Sequence, residues 1–111
     1  ITSTEIFMKY YALAECNPRG VDSPTVVAAQ VANELLNIDH TKASFVFTEY
    51  QDKIYISARS IDEVNVQVVM EKIGGGGHMS VAGAQLKGST IQEAMERIKE
   101  VLRKMTENGE I

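Results

Sequence analysis

Four consecutive glycines and a histidine, Gly74 to His78, stand between an apolar helix-like segment, Val64 to Ile73, and an alternating one, Val81-Ala82-Gly83-Ala84-Gln85-Leu86. Few features constrain a fold as strongly. Glycine tolerates positive φ and carries no side chain, so backbone amides in such a run can approach another molecule closely. A run of this kind reads either as a flexible linker or as a rigid turn that the fold requires. Two observations favour the turn. The run contains no Ser, Pro or charge, and periodic structure resumes within a few residues. A glycine-rich turn between helix and strand, ending in a polar ring, suits capture of an anionic or nucleotide ligand.

The chain has 111 residues, which points to one domain with one core. A net charge of −4 argues against sequence-independent binding of long nucleic acid, which needs a basic footprint. It leaves room for a small anion held by one arginine and a few amides. Cys16 is the only cysteine, so an internal disulfide is excluded. A lone cysteine on a strand reads as a small buried hydrophobe, and the usage fits a reducing compartment. No stretch resembles a signal peptide or is long and apolar enough to span a membrane. The sequence begins at Ile1, and residues 1–111 are expected to be a fragment of a longer protein.

Ile6 to Cys16 mixes aromatic, β-branched and small apolar residues and reads as one strand, although Met8, Lys9, Ala12, Leu13 and Ala14 also suit a helix. Asn17-Pro18-Arg19-Gly20 is a turn, Asp22 or Ser23 a cap, and Pro24 a first-turn residue. A helix to about Leu36 follows, with Val27, Val31 and Leu35 at helical spacing beside Ala28 and Ala32. Ala43 to Tyr50 and Lys53 to Ala58 flank Gln51-Asp52 as a hairpin. Phe45 and Phe47 share one face of it, as do Ile54 and Ile56 on the partner strand. A second helix starts near Asp62 or Asn65 and runs to Ile73 with Val66, Val69, Met70 and Ile73 inward. After the glycines come a strand, Val81 to Lys87, and a helix to about Thr106. Ser89 or Thr90 caps that helix with Gln92 or Glu93, and Asn108-Gly109 ends it. The order predicts an α/β single domain, a mixed β-sheet with helices packed on it.

The candidates for chemistry are few. The chain has no zinc-spaced His/Cys set, no Asp/His cluster for two metals, no nucleophile elbow and no Walker-type loop. Of two histidines, His40 reads as solvated in a polar turn beside Asp39. His78 either satisfies a local backbone bond or serves a ligand. Arg59 and Ser60 close the second hairpin strand just before the helix that leads into the glycines. An arginine there is either a surface charge or a bidentate phosphate grip at the place where α/β folds hold ligands. Asn65 caps the helix or presents its amide to a base or sugar.

Taken together, SARS (Ser57 to Ser60), VNVQVVMEKIGGGGH (Val64 to His78) and AGAQL (Ala82 to Leu86) resemble the DHH-associated domain, the C-terminal subdomain of the DHH phosphoesterase superfamily. The resemblance spans roughly Ala43 to Leu102. The upstream segment VDSPTVVAAQVANELLNIDHTKASFVF is similar to the membrane-bound, GdpP-type cyclic di-AMP phosphodiesterases. Met79-Ser80-Val81 falls where the family varies, which bears on fine substrate choice.

The resemblance implies a division of labour. An absent DHH subdomain would hold two manganese ions, and this fragment would contribute no catalytic or metal-ligating residue of its own. Gly74, Gly75, Gly76, Gly77 and His78 would contact nucleotide or phosphate. Arg59 would grip phosphate, with Ser60 in the same cleft and Asn65 a weaker correspondence. The implied partners are a cyclic dinucleotide or short oligonucleotide, the DHH subdomain of the same chain, and a second copy in a homodimer. The implied location is the cytoplasmic face of a bacterial membrane protein. Two alternatives stand beside this reading. One is a subdomain of an oligoribonuclease or phosphoadenosine phosphate phosphatase of the same superfamily. The other is a non-catalytic nucleic-acid module like the C-terminal domain of alanyl-tRNA synthetase.

Overall fold

The computed structural model describes residues 3–16, 24–61 and 64–111. The expected turn at Asn17 to Gly20, the cap at Asp22 or Ser23, and a helix start at Asp62 lie outside the described residues. Within them, nine elements run in the order β1 (Ser3–Phe7), β2 (Tyr11–Glu15), α1 (Pro24–Leu35), β3 (Ala43–Tyr50), β4 (Lys53–Ser60), α2 (Val66–Glu71), β5 (Gly76–Gly77), β6 (Val81–Lys87) and α3 (Ile91–Glu107). The strands form one sheet ordered β1-β2-β3-β4-β6-β5. Only β2 and β3 are parallel; the other neighbours are antiparallel. The fold is the expected α/β domain with a mixed sheet.

The parallel pair needs a crossover, and α1 supplies it. Ala28, Val31, Ala32 and Leu35 pack on Ala12, Ala14, Cys16 and Val46 on one face of the sheet. Cys16 is buried there. Small residues on both sides let helix and sheet approach closely, and the Ser44 hydroxyl donates to the Ala32 carbonyl at 2.6 Å. The opposite face holds the larger core. Phe45, Phe47, Ile54 and Ile56 meet Val66, Val69 and Met70 of α2 and Ile98, Leu102 and Met105 of α3. Burying one such side chain fully stabilises by about 1.5–3 kcal/mol. The register confirms the shared faces expected of the hairpin: Phe45 lies opposite Ala58 and Phe47 opposite Ile56.

Helix α3 starts and stops as the sequence predicts. Thr90 and Glu93 form a reciprocal capping box. Gly109, at φ 74°, lies in the reversal that follows the Asn108 cap, and the Glu110 N–H donates back to the Met105 carbonyl at 2.8 Å. Of the two starts considered for α2, Asn65 is the cap, its side-chain oxygen accepting from the Val68 N–H.

One expectation is corrected. Ile6 to Cys16 is two strands of a hairpin, because Met8 and Lys9 take φ of 53° and 72° and reverse the chain. Neither residue favours the left-handed region, so the sequence carries no turn signal there. Tertiary contacts hold the hairpin in place. Lys99 of α3 pairs with Glu5 at 2.7 Å, and Lys99 and Arg103 both lie 5.6 Å from the centre of the Phe7 ring. The Glu5 carboxylate holds the Lys99 ammonium above its ordinary pKa.

Candidate functional site

Strand β4 alternates cleanly. Ile54, Ile56 and Ala58 are buried in the larger core, so Tyr55, Ser57 and Arg59 share the opposite face. On β6, Ala82, Ala84 and Leu86 are buried, and Val81, Gly83 and Gln85 share the face with Tyr55 and Arg59. The register pairs Tyr55 with Gln85, Ser57 with Gly83, and Arg59 with Val81. On this side α1 packs over β3 and the near flank of β4. Beyond it, a groove of about 480 Å³ opens, lined by Tyr55, Ser57, Gly74, Gly75, Gly83 and Gln85.

Gly74 and Gly75 line one side of the groove, and the glycine run is held by three different means. Gly74 ends the α2 segment in the left-handed region (φ 91°), with its N–H donating to the Glu71 carbonyl and the Gly75 N–H to Met70. That is a Schellman-type stop. Gly75 lies against β6, where a Cβ would overlap the Gly83 carbonyl and come within 2.7 Å of the Ala84 Cβ. Gly76 and Gly77 then pair with Gly83 and Ala82 as the edge strand β5. Gly77 is constrained twice, by φ 143° and by the Ala82 backbone, which a Cβ would meet at 2.5 Å. Gly76 is constrained by neither, since a Cβ there meets nothing within 4 Å. The expected loop between helix and strand is thus a helix stop followed by an edge strand.

Arg59 is only partly buried, yet burial already pulls its pKa below the ordinary arginine value. Its guanidinium donates to the Ala58 carbonyl at 2.9 Å. Among the described residues no carboxylate pairs with it. A partly desolvated cation that makes one side-chain hydrogen bond among the described residues is equipped to take a bidentate anion.

Ser60 points the other way. It is buried, its hydroxyl donates to the Met79 carbonyl at 3.4 Å, and its N–H donates to the Ser80 carbonyl at 3.0 Å. Its observed work is to tie the end of β4 to the turn that carries His78. The Met79 carbonyl also accepts from the Val66 N–H at 2.9 Å, so β4, α2 and this turn are fastened at one point. Asn65 contributes the cap bond described above. His78 closes the β5–β6 hairpin through its N–H to the Val81 carbonyl at 2.7 Å, and its ring is exposed. Met79 and Val81 beside it are exposed apolar residues. Gly74 and Gly75 therefore line the groove itself, while Arg59 and His78 both meet Val81, Arg59 as its cross-strand partner and His78 through its N–H. The fold uses Ser60 and Asn65 as fasteners beneath.

Tyr55, Ser57, Gly83 and Gln85 went unremarked as groove residues in the sequence. Their signal was present in the period-two pattern: any residue an even step from Arg59 on β4 shares its face. The parity of β6 required the cross-strand register. A larger hollow of about 580 Å³ lies where α1 turns into β3, lined by Tyr10, Ile38, His40 and Lys42 among others. It contains none of the glycines, Arg59 or His78. His40 is exposed in that turn at φ 69°. Among the described residues no three His, Cys, Asp or Glu side chains group as metal ligands, and no helix is long and apolar enough to cross a membrane.

The chain is similar to known proteins. Residues 9–104 match the model of the DHHA1 domain. The chain is 53% identical over 75 residues to the cyclic-di-AMP phosphodiesterase PdeA of Listeria monocytogenes, a match covering 67% of this chain and 11% of that protein. It is 42% identical over 85 residues to the cyclic-di-AMP phosphodiesterase GdpP of Bacillus subtilis, covering 76% of this chain and 13% of that protein. The chain thus spans only a small part of these relatives' length. Among solved structures, an exopolyphosphatase-related protein of Bacteroides fragilis superposes with a TM-score of 0.80 at 21% identity, over 93% of this chain and 32% of that one. That likeness shows the shared fold. With the family model covering nearly all of the sequence and the GdpP and PdeA phosphodiesterases as its relatives, this chain belongs to the DHHA1 domain family, the C-terminal subdomain of DHH phosphoesterases.

Proposed function

We propose that this chain is the substrate-holding subdomain of a metal-dependent phosphodiesterase that hydrolyses cyclic di-AMP to linear pApA. The observation that carries the reading is Arg59, a partly desolvated guanidinium with no carboxylate partner among the described residues, on the sheet face beside the glycine hairpin. A phosphodiester supplies the missing anion. Gly76, the one member of the run that neither φ nor neighbouring atoms require, leaves space for the ligand's backbone to lie against β5. The exposed His78 ring donates a hydrogen bond to the same phosphate or to a sugar.

This chain's residues bind and orient; water activation belongs to a neighbouring DHH subdomain. The group expected there is a pair of manganese ions, which would supply a nucleophilic hydroxide and stabilise the charge that develops on phosphorus. The donor set here does not suit such a pair, so no catalytic step runs through this chain. The names of the bacterial relatives support the cyclic dinucleotide. A cytoplasm-facing domain of a membrane-anchored protein, with the DHH subdomain and a second copy as partners, completes the proposal. The net charge of −4 disfavours the nucleic-acid module.

The test is Arg59→Ala in the intact protein. Losing a charge-assisted bond costs about 1.5–3 kcal/mol, so KM for cyclic di-AMP should rise by roughly 10- to 150-fold with bound manganese unchanged. Unchanged kinetics would reduce Arg59 to a surface charge and remove the proposal's support. Turnover of short oligoribonucleotides in preference to the cyclic substrate would move the function to the oligoribonuclease branch.

A further inference from the structure

The same face of the sheet carries an aromatic group that phosphate binding leaves unused. Tyr55 lies four residues before Arg59 on β4, about 13 Å along the strand, which is the length scale of a nucleotide unit and exceeds that of a bare phosphate. Between them the floor is small: Ser57, with Gly83 opposite it on β6. Tyr55 lines the groove, as does its cross-strand neighbour Gln85, which is exposed. Tyr50, on the adjoining strand β3, stands with its ring centre 6.4 Å from that of Tyr55 at an interplanar angle of 55°, a tilted ring contact that restrains the Tyr55 ring. One strand face therefore presents a cation at one end, a floor without bulk, and a braced aromatic ring beside a side-chain amide at the other.

We infer that this end of the groove is a base subsite: the Tyr55 ring takes the face of an adenine whose phosphate is held by Arg59, and the Gln85 amide reads the edge of that base. Aromatic rings accept any base, because every base has a π-face. Selectivity comes from the amide. Its carbonyl accepts from an exocyclic amine while its NH2 donates to the neighbouring ring nitrogen. That is the pattern adenine offers through N6 and N7, whereas guanine presents two acceptors there. The inference rests on the proposed phosphate site and adds to it the residues that choose the base.

The experiment measures dissociation constants of the intact protein for cyclic di-AMP and cyclic di-GMP. The variants are Tyr55→Phe, Tyr55→Leu and Gln85→Leu, with Arg59→Ala as reference. Removing the stacking platform should weaken both ligands about tenfold in Tyr55→Leu, and Tyr55→Phe should hold affinity near wild type. Gln85→Leu should weaken cyclic di-AMP about tenfold and cyclic di-GMP less, compressing the preference between them. Gln85 is exposed, so this variant tests the inference even if loss of the Tyr55 ring lowers the melting temperature. Wild-type constants in both Tyr55→Leu and Gln85→Leu, with Arg59→Ala still weakened, would overturn the base subsite and leave the proposed function standing. Wild-type constants in Arg59→Ala as well would overturn both.

Discussion

The β3–β4 and β5–β6 hairpins meet along the β4–β6 pairing, and they reverse the chain by opposite strategies. The first turns at Gln51 and Asp52, with φ of 52° and 64°, and uses no glycine. Its eight-residue strands fill the core with Phe45, Phe47, Ile54 and Ile56. The second begins in a two-residue strand of glycines and turns through exposed His78, Met79 and Ser80. Left-handed backbone at φ of 52° to 72° does not by itself demand glycine in this molecule, since Met8, Lys9, His40, Gln51 and Asp52 adopt it, whereas Gly74 at 91° and Gly77 at 143° lie beyond that range. Proximity demands glycine, at Gly75 and Gly77, where another strand's backbone occupies the space of a Cβ. Gly76 answers to neither requirement, and on that contrast rests the proposal that a ligand lies against it.

Substitutions at four positions break or sharpen this contrast. The largest effect belongs to Gly75→Val. Its Cβ would overlap the Gly83 carbonyl, and the backbones of β5 and β6 would have to part, costing about 3 kcal/mol or more. Urea unfolding should show a large drop in midpoint; an unchanged midpoint would mean the close approach is not part of the fold.

Gly76→Val is the counterpart. Its side chain enters open space in a strand, so stability should stay within about 0.5 kcal/mol of wild type. In the intact enzyme kcat/KM should nevertheless fall on the order of 100-fold, about 2.7 kcal/mol, because the valine fills the room left for substrate. Normal turnover with normal stability would return this residue to a neutral edge position and erase the contrast.

His78 tests the turn that follows. With its ring exposed and its backbone already closing the hairpin, replacement should spare the fold. His78→Asn keeps a donor and His78→Ala keeps none, so substrate affinity should fall in that order, by about tenfold for alanine. Equal loss of the chemical step in both at normal affinity would point instead to proton transfer.

The smallest effect lies in the other hairpin. Asp52→Gly relieves a left-handed residue of about 1–2 kcal/mol while adding roughly 0.5–1 kcal/mol of unfolded-state entropy. The net expectation is stabilisation of about 0.5 kcal/mol with substrate affinity unchanged. A change in affinity would show that this turn, too, belongs to the site.

Much of the fold was legible because it was periodic. The stripe of Ile91, Met95, Ile98, Leu102 and Met105, the Thr90–Glu93 box, and the alternation through β4 and β6 each specify an element from residues close in sequence. The candidate site was legible in part. Arg59, the glycines and His78 stood out through residue type and order; Gly74 and Gly75 line the groove, and Arg59 and His78 both meet Val81. Ser60 and Asn65 drew notice by the same signs, and the structure shows each making a local bond: to the Met79 carbonyl and from the Val68 N–H.

What the sequence determined by itself about this protein is its local periodicity, its caps, its family and its lack of a basic footprint. These follow from interactions spanning a few residues, or from totals that need no geometry. Tertiary structure alone decided that Met8 and Lys9 reverse the chain, since contacts of Phe7 and Glu5 with a helix some ninety residues away hold the hairpin. It alone decided that β6 lies between β4 and β5, and from that follow the partnership of Tyr55 with Gln85 and the difference between Gly75 and Gly76. The physical reason is common to all of these. A residue's role is set by the atoms packed against it, and those atoms come from segments whose pairing is chosen by burial across the whole sheet.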